Sequence, residues 1–326
     1  MLFSSLSVAG DFEKRDDVMT FAQEMQQRHG MKRSETLAIL AQAEKKQKIL
    51  DAIARPAEKK PWKDYRKIFM TDARINDGVA FWQAHNEDLR VVSERYQVDP
   101  EIIVAIIGIE TSYGKNTGNY RVLDALATLA FDYPPRSAFF RQQLEDFLLL
   151  AREQKQDPLT LTGSYAGAMG YGQFMPSSYR NFAVDFDGDG FADIWHNTRD
   201  AIASVAYYFQ KHGWKQHEPV LVRAHVTNDF DESLISGGMK PQLPLLELAG
   251  HGVAPVMGDL GTTRKAVLIR QEGEYGTEYW LGFENFYTIT RYNSSSLYAM
   301  AAHQLSEAIR SERDLRLKQA AHTAAK

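Results

Sequence analysis

The stretch DPEIIVAIIGIETSYG, residues 99–114, decides how this chain is read. Asp99 is a good N-cap and Pro100 suits the first helical position, so a helix is predicted from here to a stop near Gly114. From Ile102 to Ile109 every position is apolar or glycine, the composition of a helix buried all round. That helix delivers one carboxylate, Glu110, into the polar turn Thr111, Ser112, Tyr113, Gly114. The negative end of the helix dipole and the neighbours Ile106, Ile107 and Ile109 both disfavour the ionised form, so the proton is expected to be held unusually tightly. Such a carboxyl suits a general acid. The plainer alternative is a surface glutamate that closes a buried helix.

Around this helix the chain has room for a large core: 326 residues, 44% hydrophobic and 25% charged, enough for two or three structural units. The net charge of -4, with no lysine and arginine stripe interleaved with aromatics, argues against a nucleic-acid partner. The absence of cysteine excludes disulfides, thiolate metal sites and a thiol nucleophile. It fits an oxidising compartment without identifying one. The apolar runs are too short to span a bilayer, so no transmembrane segment is expected. Met1 to Gly10 lacks the basic start and the length of a signal peptide, so a targeting segment would lie outside this sequence.

Helical spacing dominates the first third. Val18, Phe21 and Met25, then Leu37, Leu40, Ile49 and Ile53, then Ile75, Val79, Trp82, Leu89, Val92 and Tyr96 read as three helices. Between the last two lies a linker rich in proline and lysine, Arg55 to Trp62, leading into Trp62, Tyr65 and Phe69, which either stack on a ligand or pack the helices together. Further helices are predicted from Arg121 to Phe131, from Ser137 as N-cap to Lys155, from an Asp157-Pro158 start, and from Thr198 to a glycine stop at Gly213. The period then changes. Val220 to Val226, Ala266 to Ile269, Glu278 to Phe283 and Tyr287 to Thr290 read as short strands, and a last helix follows from Leu297 to Lys318, with a frayed tail from Gln319.

Two further stretches carry chemistry. In SYAGAMGYGQFMPSSY, residues 164–179, three glycines in six residues let backbone approach a ligand while Tyr171, Gln173 and Tyr179 offer donors and aromatic faces, as in a sugar-binding wall. A structural turn is the alternative, and the spacing matches neither a phosphate loop nor a dinucleotide fingerprint. In DFDGDGFAD, residues 185–193, carboxylates occupy loop positions 1, 3, 5 and 9 with glycine at 6, the positions of an EF-hand calcium loop. Asp185, Asp187 and Asp189 would bind, and Phe191 would offer its carbonyl. Position 12 is His196, a poor calcium ligand, so the loop must close differently. Asp200, at the start of the next helix, is the nearest carboxylate able to complete the shell, and Asp193 is expected to face solvent or act through water. A solvated acidic turn is the alternative.

Other chemistries score poorly: there is no His-Glu-x-x-His and no Gly-x-Ser-x-Gly, and the nine histidines are scattered. Sugar cleavage commonly uses two carboxylates within roughly 5 to 9.5 Å of each other. Glu101 lies about 13.5 Å from Glu110 along the helix axis, so it cannot be the partner. One local acid points to a substrate that provides its own nucleophile.

Together, Glu110-Thr-Ser-Tyr-Gly114, the stretch from Gly167 to Tyr179, the acidic loop and Arg291-Tyr-Asn293 resemble the lytic murein transglycosylase B family, over about Trp62 to Met300. The resemblance implies a mainly helical α+β protein with a goose-lysozyme-like core and an EF-hand-like loop. In that scheme residues 10–90 form a helical domain joined by the terminal helix 297–318. Residues 91–218 form the catalytic core with the calcium loop at 185–200, 219–285 a small antiparallel β subdomain, and 286–300 a return segment lining the groove. It implies cleavage of peptidoglycan in the periplasm, with glycan strands as substrate and cell-wall synthesis proteins as further partners. Family members include lipoproteins, so a full-length form anchored at the outer membrane is compatible with it. Glu110 matches the acid that protonates the bond between N-acetylmuramic acid and N-acetylglucosamine and then serves as base. The muramyl 6-hydroxyl attacks C1 to give a 1,6-anhydro sugar, with no catalytic cofactor. By motif position Ser164, Gln173, Tyr208, Tyr292, Asn293 and Tyr298 match groove residues, with Tyr292 near Glu110. Tyr65 and Arg136 match contacts to sugar or peptide, and structural Ca2+ falls to Asp185, Asp187, Asp189, Phe191 and Asp200. Two rival readings stand beside this one: a goose-type lysozyme that activates water, and a non-catalytic calcium-dependent glycan-binding module.

Overall fold

Breaks in periodicity set the helix count of the first third. A computed structural model describes residues 10–54, 60–236, 238–258 and 260–324. In place of three helices before Pro100 there are six among the described residues: α1 (Asp16–His29), α2 (Arg33–Leu40), α3 (Gln47–Ile53), α4 (Trp62–Phe69), α5 (Asp72–Ala84) and α6 (Asn86–Tyr96). Gly30 ends α1 in the left-handed region at φ 65°. His85, at φ -117° and ψ 26°, both ends α5 and starts α6. No glycine or proline marks that break, so periodicity runs through it. Of the linker, residues 55–59 lie outside the described residues, as does the start of the chain to residue 9.

The middle of the chain supplies α7 (Pro100–Thr111), β1 (Tyr120–Arg121), α8 (Val122–Asp132), a 3-10 turn at Pro134–Arg136, α9 (Ser137–Glu153), β2 (Thr162–Gly163), α10 (Pro176–Phe182) and α11 (Thr198–Lys211). Ser137 is not an N-cap: its hydroxyl donates to the Ala130 carbonyl at 2.5 Å. Asp157-Pro158 opens only a turn, its carboxylate taken by Leu159 N–H at 2.9 Å. The last third holds β3 (Leu221–Val226), a 3-10 turn at Glu232–Ser236, β4 (Leu243–Pro244), α12 (Leu245–Gly250), β5 (Val253–Pro255), β6 (Lys265–Gly273), β7 (Gly276–Gly282), α13 (Glu284–Tyr292) and α14 (Ser296–Ala324). Tyr287 to Thr290 is therefore helix, not strand. Phe286 and Ile289 bury one helical face, and buried Asn285 pins its first turn by donating to the Lys215 carbonyl at 2.7 Å. The tail from Gln319 continues α14 through Ala324.

The chain forms two compact units, Met1–Ala57 with Gly114–Ala201, and Glu58–Tyr113 with Ile202–Lys326. Each unit draws on two separate stretches of the sequence. In the first unit α8 and α9 pack together, and Leu123, Leu126, Leu144, Phe147 and Leu148 are buried. The ribbon β1–β2 pairs Tyr120 with Gly163.

In the second unit α7 packs against α5, α6 and α14, and Ile103 to Ile107 are fully buried. This is the surrounding that an all-apolar helix requires. The antiparallel sheet has strand order β4-β6-β7-β3-β5, with Leu281 of β7 opposite both Leu268 and Val222. Its buried face carries Leu268 and Leu281, against Leu245, Leu248 and Val253.

Candidate functional site

Asp99 occupies the N-cap position of α7, but no helix N–H bonds its side chain. The carboxylate accepts instead from Trp214 Nε1 at 2.9 Å and from the His217 backbone N–H at 3.2 Å. At the other end the helix stops before Gly114. Ser112 at φ 51° and Tyr113 at φ 62° take the left-handed region themselves, donating to the Gly108 and Ile107 carbonyls at 3.1 and 3.3 Å. Each non-glycine residue held there costs on the order of 1–3 kcal/mol unless its surroundings enforce it.

Glu110 is the last acid before that strained turn, and it is partly buried. The Tyr298 hydroxyl, from the first turn of α14, donates to its Oε1 at 2.5 Å. Burial pushes the carboxyl from its ordinary value of 4.5 up to about 7, and the Tyr298 hydrogen bond opposes that rise. Desolvation is thus the dominant cause. No other described carboxylate contributes to the shift.

Two more tyrosines sense the same charge. Tyr65 on α4 is raised by burial and then by Glu110, and Tyr292 at the end of α13 is raised well above 10 by the same two causes in the same order. Tyr298 is raised likewise. All three therefore stay neutral, able to donate hydrogen bonds without adding charge. Tyr208 supports this cage from behind. Its ring meets Tyr292 edge-on at 4.7 Å, its hydroxyl donates to the Arg291 carbonyl at 2.5 Å, and its face stacks on His212 at 4.0 Å. Asn293 is exposed just after α13. Glu110, Tyr65, Tyr208, Tyr292, Asn293 and Tyr298 all belong to the second unit.

Ser164, Gln173 and Arg136 belong to the first. The Ser164 hydroxyl accepts from Ala168 N–H at 3.0 Å, and Gln173 donates through Nε2 to the Thr117 and Gly170 carbonyls at 3.1 and 3.0 Å. Two of the glycines between them, Gly167 and Gly170, make room for protein. A Cβ on Gly167 would come within 2.5 Å of Leu126, and one on Gly170 within 2.4 Å of the Ile194 carbonyl. Arg136 lies over the Phe139 ring at 4.4 Å.

In the acidic loop, also in the first unit, Asp185, Asp187 and Asp200 bring carboxylate oxygens within 4.8 Å of one another. Asp200 is fully buried. It accepts from the Phe186 and Asp193 N–H groups at 2.9 Å each. Burial raises its pKa to about 6, backbone hydrogen bonds oppose the shift, and the charges of Asp187 and Asp185 add to it. Such clustered oxygens fit a hard divalent cation. Asp189 stands apart from the three, its carboxylate accepting from Phe191 N–H at 2.9 Å. The Phe191 carbonyl accepts from Asp193 N–H at 2.9 Å. Asp193 does not merely face solvent: its Oδ1 accepts from Trp195 and His196 N–H at 2.9 Å each. Asn197 is a residue that sequence reasoning missed. It caps α11 by accepting from Arg199 N–H at 3.1 Å and donates to Asp187 at 2.7 Å. Its place directly before Thr198 was the available signal.

A lone carboxyl poised near neutrality among uncharged phenols is the equipment of an acid–base enzyme on a lysozyme-like helical core. The chain belongs to the transglycosylase SLT domain family, which it matches over residues 13–307. It is 43% identical over 314 residues to the membrane-bound lytic murein transglycosylase B of Escherichia coli K12, spanning 93% of this chain and 85% of that one. Catenated lytic transglycosylase SltB1 from Pseudomonas aeruginosa is similar in structure, with a TM-score of 0.89 and 51% identity over 93% of this chain and 100% of that chain. The Escherichia coli lytic transglycosylase Slt35 in complex with calcium has a TM-score of 0.84 and 44% identity, over 94% of this chain and 96% of its own. No helix among the described residues is long and apolar enough to cross a membrane.

Proposed function

We propose that Glu110 is the single acid–base catalyst of a lytic transglycosylase acting on peptidoglycan in the periplasm. The observation that carries this is a carboxyl raised to about 7, with one phenolic donor and no second acid contributing. Protonated, Glu110 gives its proton to the glycosidic oxygen between N-acetylmuramic acid and N-acetylglucosamine as that bond breaks. The positive charge growing at C1 is met by the substrate's own acetamido oxygen. The resulting carboxylate takes the proton of the muramyl 6-hydroxyl, whose oxygen closes on C1. The product is a 1,6-anhydro sugar, no water is consumed, and Glu110 ends as it began. A pKa near the working pH serves both halves of that cycle.

Tyr298 orients the carboxyl, and Tyr65 and Tyr292 face the reacting sugar, with Tyr208 holding Tyr292 in place. Asn293 binds sugar beside it, and within the first unit Ser164, Gln173 and Arg136 bind sugar or peptide. Asp185, Asp187 and Asp200 hold a structural Ca2+, with Asp189 and the Phe191 carbonyl as outer members of the loop; the ion would offset three like charges. The calcium complex of the Escherichia coli relative supports this. Mass spectrometry of fragments from digested sacculi tests the reaction. Products lighter by one water than reducing sugars are expected, and ordinary reducing ends would assign the chain to hydrolysis.

A further inference from the structure

The end of α7 is held by two residues that the proposed chemistry does not use. Tyr113 has its ring in a slot made by two helix glycines. A Cβ on Gly108 would come within 2.6 Å of ring atoms Cε1 and Cζ, and one on Gly78 of α5 within 2.6 Å of the phenolic oxygen. The hydroxyl donates to the Arg74 carbonyl at 2.8 Å, and Phe81 packs on the ring at 5.7 Å between centroids. Arg74 donates through Nη1 to the Gly108 carbonyl, the same oxygen that accepts from Ser112 N–H at 3.1 Å. Its guanidinium lies 5.4 Å from the Phe69 ring, which packs at 5.3 Å against Tyr65.

These bonds converge on the turn that carries Glu110. Helix interiors disfavour glycine, yet α5 and α7 each place one where the Tyr113 ring needs space. Helix ends fray, and a carboxyl on a fraying turn would sweep through several positions. We propose that Arg74 and Tyr113 form a clasp that positions the Glu110 carboxyl for proton transfer, acting through the last turn of α7. The proposal rests on the reading of Glu110 as the acid. Arg74 reaches the carbonyl two residues before Glu110, and Tyr113 anchors the chain three residues after it. Rotation of the last turn is thereby blocked from both sides. Through Phe69, Arg74 also braces Tyr65, so acid and cage keep one register.

Tyr113→Phe, Arg74→Met, Arg74→Lys and Glu110→Gln, each in the full chain, test it on soluble glycan fragments. Tyr113→Phe is expected to lower kcat by about tenfold to a hundredfold with KM within about twofold, the signature of misplacement rather than lost binding. The alkaline limb of its pH profile should move to lower pH, because a loosened carboxyl gains water. Arg74→Met should behave alike, and Arg74→Lys, which keeps a cationic donor, should recover part of the rate. Wild-type kcat and an unmoved alkaline limb in both Tyr113→Phe and Arg74→Met, with Glu110→Gln inactive, would overturn the clasp alone. So would equal losses in Arg74→Lys and Arg74→Met with the limb unmoved. Activity in Glu110→Gln would overturn the acid and the clasp together. Should Tyr113→Phe fail to fold, the Arg74 pair decides.

Discussion

Two places in this chain push carboxyls out of water, and they do so with opposite surroundings. Around Glu110 stand neutral tyrosines, one of them bonded at 2.5 Å, and the rise to about 7 comes from burial alone. In the acidic loop Asp200 is buried with Asp185 and Asp187 close by, so like charge adds to desolvation. The first arrangement leaves a proton that can come and go. The second gathers three carboxylate oxygens within 4.8 Å, whose like charges repel and which suit a hard cation. One buried acid among neutral phenols thus makes a proton store, whereas one buried acid beside two more exposed ones makes a cluster of like charge.

Removing the acid gives the largest effect. Glu110→Gln is expected to cost about 10²–10⁴-fold in kcat while the fold persists, measured by product release and circular dichroism. Replacing the packing that dries the pocket comes next: Ile106→Ala, at a fully buried position of α7, should cost about 2–5 kcal/mol in denaturant unfolding. The proton store also predicts a pH dependence of stability. Unfolded, Glu110 releases its proton near 4.5, whereas folded it keeps it to about 7, so protonation favours the fold. Its contribution is whole below 4.5 and lost as pH rises to about 7, and Glu110→Gln should flatten that slope in a melting series.

For the cradle, calcium should raise Tm by several degrees in the parent chain and leave Asp187→Ala unmoved. Kinetic pKa values of the Glu110 pocket should not follow calcium in either protein, which keeps the two devices separate. The smallest effect is expected from Tyr298→Phe. Its hydroxyl lowers the Glu110 pKa, so its loss should shift the alkaline limb of the rate profile slightly upward.

The signals that could be read from sequence were those written locally. The apolar run of α7, the strands around Leu268 and Leu281, and the spacing of the acidic loop depend on neighbours within a few residues. What escaped depended on distant partners. Asp99 looks like a helix cap, yet Trp214, 115 residues away, takes its carboxylate. Tyr287 to Thr290 has the β-branched content of a strand, but burial of Phe286 and Ile289 and the anchoring of Asn285 to the segment after α11 make it helix. The glycines of the stretch 164–179 left a ligand wall and a structural turn both open, because sequence does not reveal that Leu126 and Ile194 fill the space beside Gly167 and Gly170.

The bond between Tyr298 and Glu110 joins residues 188 apart. A ribosome emitting this chain in order would finish the acid's helix long before it supplied the phenol. Until α14 docks, Glu110 lacks the hydroxyl that donates to its Oε1. The acid's setting is therefore completed late in the chain's making, when the last helix arrives.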